Sequence, residues 1–103
     1  MRTARVFFQD ILAGLLSESA DGRRCHFQYD NSYAGPPISL TMPVRPELYV
    51  FEDFPPFFDG LLPEGAQLEA LLRQKKLDRH DRFGQLLTIG ADTVGAVTIV
   101  PAP

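Results

Sequence analysis

A chain of 103 residues, 45% of them hydrophobic, suffices for one domain around one core and is too apolar for a disordered segment. Its net charge of -3 and sequence pI of about 5.2 argue against a nucleic-acid binder that works through phosphate contacts. No apolar run approaches the ~20 residues of a membrane-spanning helix. The single cysteine, with no signal peptide, points to a reducing cytoplasm.

Residues 4–8 alternate as a strand, with Ala4, Val6 and Phe8 on one face and Arg5 and Phe7 on the other. Gln9-Asp10 reads as a tight turn that returns residues 11–16 as the second strand of a hairpin. Gly14 within it marks a bulge or a close backbone approach. Asp21-Gly22 signals a turn. Residues 24–29 alternate again, placing Cys25, Phe27 and Tyr29 inside and Arg24, His26 and Gln28 outside, so Cys25 reads as a small buried hydrophobe. After a loop over 30–37, residues 38–42 are expected to form a strand with Ile38, Leu40 and Met42 on one face, broken by Pro43 and Pro46. A short apolar run follows at 48–51.

The most apolar stretch is FPPFFDGLLPEG, residues 54–65. Phe54, Phe57, Phe58, Leu61 and Leu62 fall on one face at helical spacing. Pro55 and Pro56 suit a first turn, and Pro63 ends the segment. Pro63 is expected to open a second helix over 63–75, with Glu64 in its first turn and Leu68, Leu71 and Leu72 buried. Asp78 is expected to cap a third helix with Asp81 in its first turn, Phe83, Leu86 and Leu87 as its apolar stripe, and Gly90 at a left-handed C′ position. Residues 94–100 read as the last strand. The order predicts an α+β fold: a small, mainly antiparallel sheet of about five strands with two to three helices packed on one side, as a single domain over residues 1–103.

Chemistry-bearing patterns are sparse. Gly60, Gly65 and Gly84 do not form a phosphate loop, and His26 and His80 do not fall in metal-ligand spacing with Cys25. Glu52, Asp53, Asp59 and Glu64 surround the first helix and read as helix-end charges. Arg73, Lys75, Lys76, Arg79 and Arg82 read as a solvated helix end, since no aromatic residues interleave them as in a nucleic-acid surface. No catalytic, cofactor-binding or metal-binding residue is expected. The phenylalanine stripe exceeds what one short helix normally buries, which leaves an edge for a partner.

Three pieces, ARVFFQDILAGLL, FFDGLLPEG and DRFGQLLTIGADTVGAVTIVP, occur in an order that resembles the N-terminal subdomain of HipA-type serine/threonine kinases, the toxins of bacterial toxin–antitoxin systems. The likeness runs from about Ala4 to Pro101. It departs from the family at Gln9-Asp10, where an Asn-Gly-type turn is common. The resemblance implies a regulatory cap without the kinase body, and therefore no catalytic residue. It further implies similarity to the stand-alone HipS-like antitoxins of three-gene HipBST systems, whose partners are a HipT-like kinase and a HipB-like DNA-binding protein. Direct nucleic-acid contact and membrane attachment are not expected. The alternative is the structural N-terminal subdomain of a full-length HipA kinase. The expected partner-binding residues are Phe54, Phe57, Phe58, Leu62, Pro63, Glu64, Ala66 and Gln67.

Overall fold

The computed structural model describes residues 2–93 and 95–102. Five strands, β1 (Thr3–Phe8), β2 (Ile11–Glu18), β3 (Cys25–Tyr29), β4 (Tyr49–Phe51) and β5 (Val97–Pro101), form one sheet in the order β4-β3-β2-β1-β5. Every neighbouring pair is antiparallel. Three helices, α1 (Pro56–Asp59), α2 (Gly65–Lys75) and α3 (Arg82–Ile89), lie between β4 and β5, with a 3-10 turn over Gly90–Asp92. The α+β expectation holds. Val94, the expected first residue of the last strand, lies outside the described residues.

Alternation sets which face is covered. Ala4, Val6, Leu16, Cys25, Phe27, Tyr29, Val97 and Ile99 are buried and share one face through the register Ala4↔Leu16↔Phe27 and Val6↔Ile99. Phe58 of α1 and Phe83 and Leu86 of α3 complete this core. The opposite face, with Arg5, Leu15, Gln28 and Val50, is open to solvent, as one face of an antiparallel sheet commonly is.

The hairpin turn is left-handed at both central residues, with φ of 49° at Gln9 and 66° at Asp10. This is the geometry that Asn-Gly usually supplies. A bond from the Gln9 N–H to the Ala96 carbonyl, at 2.8 Å, ties the turn to the chain entering β5. The register shifts between Val6 and Phe7, leaving Ala13 unpaired as a bulge. Gly14 beside it also meets the close-approach expectation, since a Cβ there would lie 2.3 Å from the Gln28 carbonyl oxygen.

Several expected elements are corrected. Residues 38–42 form no strand. They make a tight turn closed by an isolated bridge between Ser39 and Met42, and it is β4 that pairs with β3. Ile38 and Met42 are buried, and Leu40 is not. The phenylalanine helix spans only Pro56–Asp59. Pro55 is extended at φ −62° and ψ 132°, so the helix begins one residue later. Beyond Asp59 the chain continues in i→i+3 bonds from the Leu61 and Leu62 N–H groups to Phe58 and Asp59. The second helix starts at Gly65, with Glu64 before it in an extended conformation. Its stripe of Leu68, Leu71 and Leu72 is only half-buried, and α2 has no fully buried residue.

The third helix is capped by Asp81, whose carboxylate accepts from the Gly84 N–H at 3.0 Å. Asp78 instead closes the preceding turn, accepting from the His80 N–H at 2.7 Å. Gly90 is right-handed, at φ −62° and ψ −28°. What requires glycine there is the approach of β5, since a Cβ would lie 2.6 Å from the Ile99 carbonyl oxygen.

Candidate partner-binding surface

The corner at 57–67 is built on aromatic packing. Phe58 points into the core, fully buried, with its ring centroid 6.0 Å from that of Phe27. Phe57 packs edge-on against Phe58 at 5.1 Å and stays half-buried. Phe54, Leu61 and Leu62 are also partly exposed while touching the core. Phe58 is therefore a core residue with no surface to offer a partner.

Charge holds the corner in place. The Arg82 guanidinium lies over the Phe54 ring at 5.3 Å, pairs with Asp53 at 2.6 Å and reaches Asp59 at 3.5 Å. Glu52 pairs with Arg24 at 3.0 Å. Three members of the acidic cluster, Glu52, Asp53 and Asp59, are thus matched to arginines. Arg79 pairs with Glu69, joining α2 to the turn before α3. Arg2 bonds both Glu18, at 2.6 Å, and Asp81, at 2.7 Å, tying the sheet to the start of α3. The Arg2 partner and the Gly84 N–H hold the Asp81 carboxyl below the usual carboxylate range. Burial pushes the Cys25 thiol up to about 11, which makes it a poor nucleophile.

Past Pro63 the chain turns at Gly65, with φ +60°, into α2. Pro63 is half-buried, and Glu64, Ala66 and Gln67 are exposed. A cleft of about 180 Å³ opens between the corner and α3, lined by Leu62, Pro63, Glu64, Leu68, Arg79 and Gln85, among others. Sequence reasoning missed the last three. In the sequence Arg79 reads as part of a solvated basic run. Gln85 carries no sequence signal for burial, yet it is 2% exposed and its side-chain amide donates to the Asp78 and Arg79 carbonyls at 3.1 and 3.0 Å. Of the expected partner residues, Leu62, Pro63 and Glu64 line the cleft, Ala66 and Gln67 follow on the exposed start of α2, and Phe54 and Phe57 show partial edges.

Among the described residues no group of three metal-ligating side chains is gathered, and no helix is long and apolar enough to cross a membrane.

Residues 4–100 match the HipA N-terminal domain family. The chain is 34% identical over 99 residues to an uncharacterized protein of Haemophilus influenzae, covering 96% of this chain and 92% of that protein. It is 30% identical to the serine/threonine-protein kinase toxin HipA of Shewanella oneidensis, covering 96% of this chain but only 23% of the toxin. A solved N-terminal domain of HipA toxin superposes with a TM-score of 0.77 at 29% identity, over 100% of this chain and 94% of the other. The Shewanella oneidensis HipA, solved with HipB and operator DNA, gives a TM-score of 0.75 at 25% identity over 95% of this chain and 23% of that one. The chain belongs to the HipA N-terminal domain family, and what it matches in the Shewanella toxin is under a quarter of that protein.

Proposed function

We propose that this protein is a HipS-like antitoxin: a non-catalytic, cytoplasmic cap that docks on a HipT-like kinase and holds it inactive, within a complex that also contains a HipB-like DNA-binding protein. The observation that carries this reading is the size of its relatives. The same domain makes up under a quarter of a HipA toxin and nearly all of the Haemophilus protein. A domain that packs beside a kinase body in one chain retains, as a separate chain, the surface that faced it. Binding that favours an inactive arrangement of the kinase inhibits it without chemistry from the cap. The rigid corner supports this role, because a pre-ordered apolar edge loses little freedom on docking.

Ala66 and Gln67 test the surface, since both are exposed and neither belongs to the core. With a HipT-like kinase as probe, Ala66→Glu and Gln67→Glu are expected to keep the melting temperature and to weaken kinase binding by about tenfold or more, with loss of growth protection. Normal binding and protection by both variants would move the docking surface elsewhere. The second reading, a structural subdomain of a full-length HipA kinase, is favoured by the 23% coverage of the Shewanella toxin. Sequencing downstream separates the two: a stop codon followed by a kinase gene supports the antitoxin, and an open frame into a kinase body supports the subdomain.

A further inference from the structure

Leu40 is fully exposed, at 100%, between Ile38 at 6% and Met42 at 2%. The segment that presents it is held on both flanks. The Ile38 N–H donates to the Tyr29 hydroxyl at 3.1 Å, and that hydroxyl donates to the Met42 carbonyl. The Met42 N–H closes the turn on the Ser39 carbonyl at 3.0 Å, and the Ser39 and Thr41 hydroxyls bond across it at 3.0 Å. Two buried anchors and one buried hydroxyl therefore fix a tight turn with a bare leucine at its tip. The turn does not need leucine there, because a polar residue serves the central positions of a β-turn at least as well. An isolated exposed leucine is ordinary. One on a backbone already fixed offers apolar contact with little ordering cost. No charged side chain occurs from Tyr33 to Val44, so the segment that carries this leucine is itself uncharged.

The turn and the corner share one packed frame. Tyr29 meets Phe27 at 4.9 Å, Phe27 meets Phe58 at 6.0 Å, and Phe58 meets Phe57 at 5.1 Å. We infer that Leu40 is a second anchor for the kinase body, entering a small apolar pocket of the same partner that the 57–67 corner engages. The inference rests on the kinase-binding reading above. It commits to that occupant because in the Shewanella toxin the matched domain occupies 23% of a chain whose remainder supplies a permanent neighbour.

The experiment measures affinity for a HipT-like kinase by calorimetry for the wild type, Leu40→Asp, Leu40→Ser and Ala66→Glu, at low and high salt, with a melt and a sizing run of each free protein. Leu40→Asp is expected to keep the wild-type melt and to weaken binding by about tenfold or more. Leu40→Ser, which adds no charge, is expected to weaken it by a similar factor at both salt concentrations. Wild-type affinity for both Leu40 variants, while Ala66→Glu is impaired, overturns the second anchor and leaves the corner standing. Loss of self-association in the free Leu40 variants, with kinase affinity intact, also overturns it and assigns the leucine to a second copy of this chain. If the wild type itself fails to bind the kinase, the functional reading falls and this inference falls with it. An early melt of both Leu40 variants overturns the premise that the tip is unpacked.

Discussion

Helices α2 and α3 look alike in sequence and behave differently in the fold. Each has two or three leucines on one face. Yet α3 buries Phe83, Gly84, Gln85 and Leu86, whereas α2 buries nothing completely. The leucines of α2 are absent from the partly buried residues that touch the core, although Leu61 and Leu62 just before it are among them. The ends of the helices account for part of this. Asp81 caps α3 and is joined through Arg2 to the sheet, and Gly90 lets β5 press against its exit. The start of α2 has no side-chain cap, and its C-terminus closes on itself, with Lys76 left-handed and the Leu77 N–H reaching the Leu72 carbonyl. An apolar stripe shows that a helix has a face to cover. The depth of that face depends on tethers at the ends, which the stripe does not contain.

The sharpest way to break the contrast is to cut into α3. Leu86 is 0% exposed, so Leu86→Ala is expected to cost about 2–5 kcal/mol through lost transfer energy and a residual cavity. Urea denaturation followed by circular dichroism measures it. A cost under about 1 kcal/mol would mean that α3 is not the helix that closes the core.

A smaller effect probes the tether. Asp81→Asn keeps an acceptor suited to an N-cap and removes the charge that pairs with Arg2. The pair is partly exposed, at 41% and 31% for the two side chains, so the expected cost at neutral pH is about 1 kcal/mol. The sign with pH follows from the lowered folded-state pKa of Asp81. Its contribution is complete above the unfolded value of about 3.9 and is lost as pH falls through the folded value. The wild type and Asp81→Asn should therefore converge in stability below about pH 4. A gap that stays constant as the pH is lowered from neutral to pH 2 would detach the effect from this carboxylate.

Much of the sheet was legible because period-two alternation with one buried face leaves little freedom of register. Cys25, Phe27 and Tyr29 were placed inside from that pattern alone. The same pattern failed at Ile38, Leu40 and Met42, because alternation also fits a turn with two buried shoulders. At residues 54–62 the spacing identified the apolar face correctly, but only Pro56–Asp59 is helical, with Pro55 an extended entry and residues 60–62 a run of turns. The candidate surface was legible only as a region. Periodicity cannot tell that Phe58 belongs to the core while Phe57 beside it keeps an edge, nor that Gln85 is buried to hold the turn before α3. Those outcomes depend on contacts between segments far apart in the chain.

The smallest effect tests the other half of the comparison. Leu71 is half-buried on α2 and lies outside the set that touches the core. Truncating it exposes little new cavity, and alanine is the better helix former, which offsets part of the lost contact. Leu71→Ala is therefore expected to cost less than about 1 kcal/mol in the free protein, against the 2–5 kcal/mol expected at Leu86. The same urea titration decides it, run on both variants so that the slope of each transition can be compared. Equal costs would show that α2 is packed as deeply as α3 in solution. A small cost in the free chain that grows in the presence of a HipT-like kinase would show that this proposed partner covers the α2 stripe, extending the proposed docking surface from Ala66 and Gln67 along the helix.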